Sequence, residues 1–129
     1  MKRLLLDTCT LLWFLMNDPR LTAPAKVAIE DPINERRLSP ISLLEIALKV
    51  RLGKLRLQRP FGSIFPSELT ANDIRLLPLH PAHIEPLTIL PLYHRDPFDR
   101  LLAATALAEG FVVVSADTAF DAYGLTRLW

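Results

Sequence analysis

Residues 94–117 read HRDPFDRLLAATALAEGFVVVSAD, and this stretch decides the fold. Asp96 followed by Pro97 is an N-cap with proline at the first helical position. The apolar, alanine-rich run Phe98–Glu109 then predicts a helix, stopped by Gly110. Phe111–Ser115, FVVVS, is short and built on three successive valines, the apolar, β-branched run of a strand covered on both faces. A helix feeding directly into such a strand is half of a βαβ unit.

The rest of the chain repeats the alternation. Arg3–Leu6 reads as a buried strand ending at Asp7. Thr8–Met16 reads as a helix stopped by Asn-Asp-Pro, and Ala25–Glu30 as a second, shorter one. Arg37–Ser39 reads as a strand. The helix after it takes Ser42 as N-cap and Gly53 as stop, with Ile41, Leu44, Leu48 and Leu52 at helical spacing. A helix is expected within FPSELTAND, a strand over Ile74–Leu79, and a short helix in HPAHIEPL. Pro91–Pro97 reads as loop, and a final helical turn and the LTRLW tail close the chain. The expectation is an α/β fold: one domain over residues 1–129, with a central, mostly parallel sheet flanked by helices on both faces.

Bulk composition narrows the function. Fifteen basic and 14 acidic residues give a net charge of +1, so any role with nucleic acid rests on local placement of charge. Lys49, Arg51, Lys54, Arg56 and Arg59 form one such local basic stretch. Half the residues are hydrophobic, more than a small monomer needs, which points to apolar surface covered by a partner. A single cysteine, Cys9, allows no internal disulfide; it reads as a small buried residue in a cytoplasmic protein. No apolar run reaches membrane-spanning length, and Asp7 interrupts any signal-peptide pattern.

The acidic residues carry the chemistry. Asp7 and Asp117 follow apolar strands, and ligands of open α/β sheets bind beyond the carboxyl ends of strands. Asp99 starts the helix that leads back into the second of these strands, and Glu45 lies in the first turn of the helix after the Arg37–Ser39 strand. Coarse topology therefore brings all four to one edge. Each has an ordinary alternative: Asp99 favours the positive helix end, Asp117 caps a short helix, Glu45 is a solvated helix residue. Together, carboxylates about 4 Å apart repel by roughly 4 kcal/mol at an effective dielectric of about 20, so they must hold protons or a cation. All-oxygen ligands favour Mg²⁺ or Mn²⁺ over zinc. Such ions clamp phosphate oxygens and activate water for in-line displacement, which makes phosphodiester hydrolysis the inferred reaction. Of the three histidines, His80, His83 and His94, none is needed for this; His94 lies nearest the acidic block.

The blocks LLLDTCTLLWFL, LSPISLLEIALKVRLGKL, HRDPFDRLLAATALAEG and VVVSADTAFDAYGLTRLW resemble, in order, those of the PIN-domain ribonucleases, most of all the VapC toxins of bacterial toxin–antitoxin pairs. The resemblance implies a metal-binding quartet of Asp7, Glu45, Asp99 and Asp117. It leaves Asp96 to cap the helix or to support the ligands, Ser115 to hydrogen-bond a carboxylate or a bound water, and Arg100 either to contact phosphate or to stand as a solvent-exposed helix residue. It further implies Mg²⁺ with Mn²⁺ as substitute, an RNA substrate, a homodimer, and a cognate antitoxin over an apolar groove near the N-terminal helices, where Trp13 and Phe14 are candidates, core packing being the favoured alternative for both. The alternative is a PIN-like module that binds RNA or protein without turnover. Receiver and haloacid-phosphatase folds would place further acid just after the first strand, where Thr8 and Cys9 stand.

Overall fold

The computed structural model describes residues 1–129. Its centre is a five-stranded sheet in the order β3-β2-β1-β4-β5, formed by Arg3–Leu6 (β1), Glu35–Leu38 (β2), Ile74–Leu76 (β3), Val112–Val114 (β4) and Arg127–Leu128 (β5). Every pairing is parallel, so the sheet is wholly rather than mostly parallel. The helices are Thr8–Leu15 (α1), Ala23–Glu30 (α2), Pro40–Arg51 (α3), Phe61–Ile64 (α4), Ser67–Ala71 (α5), Pro81–Ile84 (α6) and Pro97–Glu109 (α7), with 3₁₀ turns at Glu85–Thr88 and Thr118–Tyr123.

The strand order explains why both faces are covered. From β1 the chain steps to β2 and β3 on one side, then returns to β4 and β5 on the other. Right-handed crossovers place the connections of the two halves on opposite faces. The side-chain period of two divides β1 accordingly. Leu4 and Leu6 enter a core with Leu11, Leu12, Ile29, Ile46 and Phe65, while Leu5 enters a second core with Leu102, Ala103, Val113 and Phe120. All three leucines of β1 are fully buried, each contributing about 1.5–3 kcal/mol of apolar burial. The order reverses between β1 and β4, the switch point at which open α/β sheets bind ligands.

Helix α7 starts and stops as expected. The Phe98 N–H donates to the Asp96 carboxylate at 2.8 Å, and Gly110 takes the left-handed conformation, φ 72°, at the C-terminus. Three readings need correction. The cap of α3 is Ser39, whose hydroxyl accepts the Ile41 N–H at 3.2 Å. Pro40 is then the first helical residue, and Glu45 falls in the second turn rather than the first. Ser42 is instead buried inside the helix, where its Oγ accepts the Thr8 hydroxyl at 3.0 Å and ties α3 to α1. The apolar repeat of α3 is not its buried face: Leu44, Leu48 and Leu52 are exposed, and Ser42, Glu45 and Ile46 point inward. Finally, the tail contributes a strand, β5, held against β4.

No helix is long and apolar enough to cross a membrane.

Candidate metal centre

The registers Leu6↔Leu38 and Leu6↔Val114 bring the ends of β1, β2 and β4 level. The residues just beyond each strand therefore meet at one edge: Asp7 after β1, Ser39 and α3 after β2, Ser115 to Asp117 after β4. Helix α7 crosses the other face and returns its N-terminus to that edge. The result is a cleft of about 320 Å³ lined by Asp7, Glu45, Asp96, Asp99 and Asp117, with Thr8, Cys9, Trp13, Lys49 and Ala116 completing the wall. Acids from four separate segments share one cavity.

Asp7 caps α1, its Oδ1 accepting the Thr10 N–H at 2.8 Å. Its Oδ2 accepts the Ser115 hydroxyl at 2.5 Å. The fully buried Ser115 also accepts the Asp117 N–H at 3.0 Å, so one hydroxyl couples two of the acids. Asp117 caps the 3₁₀ turn, its Oδ1 accepting the Ala119 N–H at 2.9 Å and its Oδ2 lying 2.7 Å from His94 Nε2. The same imidazole nitrogen is 3.2 Å from Asp99 Oδ2. Glu45 is buried, and Lys49 approaches its Oε2 at 3.4 Å from one turn further along α3.

The electrostatics are those of crowded negative charge. Burial pushes the Asp7 carboxyl above the usual range against its hydrogen bonds from Ser115 and Thr10, and Asp117 adds to the rise. Asp99 is pushed up to about 7, first by burial and then by the Asp96 carboxylate, with His94 opposing. At Asp117 partial burial works upward, but the Ala119 and His94 hydrogen bonds outweigh it and hold the carboxyl below its ordinary value. The Cys9 thiol is pushed up by desolvation against the cleft wall and by the Asp7 carboxylate. Cys9 is exposed at the cleft rather than buried, and a raised thiol pKa makes it a poor nucleophile or ligand.

This donor set fits a hard divalent cation. The cleft offers carboxylate and hydroxyl oxygens, two of its acids sit above their normal pKa chiefly because they are desolvated and next to further carboxylates, and no thiolate competes.

Two outcomes depart from the reading of the sequence. Arg100 turns away from the acids: its Nη2 donates to the Leu90 carbonyl at 3.0 Å and lies 3.5 Å from that of Leu87. The phosphate contact expected of it gives way to anchoring the loop before α7. His94, set aside in the sequence, stands among the acids. Its place depends on the path of the loop after Leu90, which no periodicity encodes; its only sequence signal is closeness to Asp96. Trp13 and Phe14 are half-buried against the core, Trp13 with its ring centroid 5.7 Å from that of Trp129.

Comparison with known proteins places this arrangement. The PIN domain pattern matches residues 4–125. The chain is 30% identical over 118 residues to Ribonuclease VapC22 of Mycobacterium tuberculosis, a match covering 91% of this chain and 88% of that one. Among solved structures it resembles VapBC2 from Rickettsia felis bound to a DNA fragment from their promoter (TM-score 0.70, 16% identity, 97% of this chain and 96% of that chain). It also resembles VapBC-1 from nontypeable Haemophilus influenzae (TM-score 0.65, 18% identity, 97% and 96% covered). At these identities the structural likeness speaks for the fold, and the sequence matches speak for descent: the chain belongs to the PIN-domain family, on its VapC-type branch.

Proposed function

We propose that this protein is a divalent-metal-dependent endoribonuclease, a single PIN domain over residues 1–129 acting as the toxin of a cytoplasmic toxin–antitoxin pair. The observation that carries it is the convergence of Asp7, Glu45, Asp99 and Asp117 on one cleft at the sheet's switch point. These four would hold Mg²⁺, or Mn²⁺ in its place. The bound cation supplies charge against phosphate oxygens and lowers the pKa of water. The protein's own part is positioning. Ser115, Thr10 and Ala119 hold the carboxylates of Asp7 and Asp117 in place on the cleft wall. Asp96 fixes the start of α7 and with it Asp99. Lys49 holds Glu45.

Three surfaces support the partners. An apolar groove beside α1, lined by Leu12, Leu15, Met16, Leu57, Ile64 and Phe65 and edged by Arg59 and Glu68, suits an antitoxin segment. Exposed Leu44, Leu48 and Leu52 leave apolar area for a second copy. For RNA, a neighbouring groove shares Glu45, Lys49 and Asp96 with the acidic cleft and adds the exposed cations Lys54 and Arg95. Replacing both with Glu is expected to weaken binding of single-stranded RNA to the Asp99→Asn protein and to flatten its salt dependence by a log–log slope of about 1.4, at roughly 0.7 per lost phosphate contact. Filter binding across 50–200 mM salt reads this, and an unchanged slope places the RNA elsewhere.

The testing experiment uses a pool of structured cellular RNAs, with Mg²⁺ or Mn²⁺ and then with EDTA. Discrete fragments are expected only with metal. The Asp99→Asn protein should cut about 10²–10³-fold more slowly, the loss typical of one preorganised electrostatic group. Cleavage that persists in both EDTA and the variant overturns the assignment; binding without cleavage in any lane favours a module without turnover.

A further inference from the structure

His94 is the one titratable side chain among the acids that the metal-nuclease reading leaves without a task. Its Nε2 and one oxygen from each of Asp99 and Asp117 all lie within 4.8 Å of one another, so on distance alone it would serve as a further ligand. The hydrogen bonds decide otherwise. A metal-bound imidazole donates through its second nitrogen to a carboxylate or carbonyl. Here the second nitrogen, Nδ1, faces a donor: the Asp96 backbone N–H, at 3.3 Å. Nδ1 thus keeps its lone pair, and the neutral ring carries its proton on Nε2. That nitrogen has no lone pair for a cation, and it donates to Asp117 Oδ2 at 2.7 Å.

The ring is built into place. The His94 backbone N–H donates to the Tyr123 hydroxyl at 2.9 Å, and the imidazole rests against the fully buried Phe120 with centroids 5.8 Å apart. Tyr93 braces Tyr123 edge-on at 5.2 Å. Asp117 needs such help. Its side chain is 43% exposed and sits on a short 3₁₀ turn, whereas Asp7 is locked between a helix and a strand end. One oxygen of Asp117 is held by its own turn; His94 holds the other.

We infer that His94 is a positioning residue, an Nε2-protonated imidazole that fixes the Asp117 carboxylate for the cation and is not itself a ligand. The inference rests on the metal-dependent reading above.

The test is calorimetric titration of the whole protein with Mg²⁺ and with Mn²⁺, without RNA, for the wild type, His94→Ala and His94→Gln. Loss of the supporting donor in His94→Ala should weaken both cations about 10–100-fold and in equal proportion. His94→Gln, whose amide N–H₂ reaches the place of Nε2, should retain most of the affinity. Imidazole favours transition metals, so selective loss of Mn²⁺ affinity in both variants would make His94 a ligand and overturn the inference. Unchanged affinity in His94→Ala would also overturn it. Should His94→Ala fail to fold, ¹⁵N chemical shifts of the wild-type ring decide: Nε2 protonated with and without Mg²⁺ supports the inference, a metal-shifted Nε2 sinks it. A wild type that binds neither cation would take down the metal-nuclease reading itself; wild-type binding matched by His94→Ala takes down only the role of His94.

Discussion

Stripped of divalent metal, the protein should lose stability as pH rises from about 5 to 8. The folded Asp99 carboxyl titrates at about 7, against an ordinary value of 3.8. Between those values the folded state holds a proton that the unfolded chain has released, so stability falls with rising pH across that window. The contribution is complete below 3.8 and gone once pH passes through about 7. Of that gap, the roughly two pH units between 5 and 7 fall inside the tested window and correspond to at most about 2–3 kcal/mol before solvent screening at this partly open site, on the order of 10 °C in melting temperature for a chain of this size. Asp7, also raised, acts in the same direction. Asp117 is lowered, so its own contribution is already complete by about pH 5 and leaves this window unchanged. Melting curves in EDTA at pH 5 and pH 8 measure the drop. Asp99→Asn should remove most of it, and millimolar Mg²⁺ at pH 8 should restore it by binding only the folded site. A melting temperature that is flat from pH 5 to 8 in EDTA would mean that the acids are not crowded as described.

The parts of this site that are legible in the sequence share a cause. Asp7, Asp99 and Asp117 each adjoin an element whose sequence signal is strong: an apolar strand or a capped helix. Once the topology is parallel, the ends of those elements must meet. Glu45 reaches the same edge even though a cap at Ser42 starts its helix too late. Ser42 and Ser39 are both good caps, and Pro40 is the deciding signal, since proline belongs at the first helical position. The face of α3 is not legible because apolar spacing reports that a helix has a stripe, not what covers it; here Leu44, Leu48 and Leu52 face outward while a buried Glu45 faces the cleft. Strand β5 is two residues long, too short for a period to register. His94 and Arg100 are out of reach for a third reason. Their partners, Asp117 for one and the Leu90 carbonyl for the other, are set by the path of an irregular loop. Cys9 alternates with the buried Thr8 and Thr10, and its exposure comes from the cleft that opens above α1.

Asp7→Asn should make the metal-free protein more stable and inactive at once. The Asp7 carboxylate is held in place by Thr10 and Ser115, yet burial drives its pKa up, so at neutral pH its charge costs more than those hydrogen bonds return. Asparagine keeps the size and the cap: its Oδ1 accepts the Thr10 N–H, and its amide can turn an N–H toward Ser115 Oγ. Only the charge is lost. In EDTA at pH 8 the variant should gain about 0.5–2 kcal/mol, the usual yield when one destabilising feature of a functional site is relieved. It should show no melting-temperature rise with Mg²⁺, and its RNA cleavage should fall by about 10²–10³-fold. Asp7→Ala separates charge from cap, since it removes both and forfeits about 0.5–2 kcal/mol of helix capping. The order of stability in EDTA should therefore be Asn above wild type, with Ala below Asn. If Asn instead melts below wild type in EDTA, the Asp7 charge is stabilising by itself, and the first strand ends in a structural cap rather than a carboxylate kept under strain for a cation.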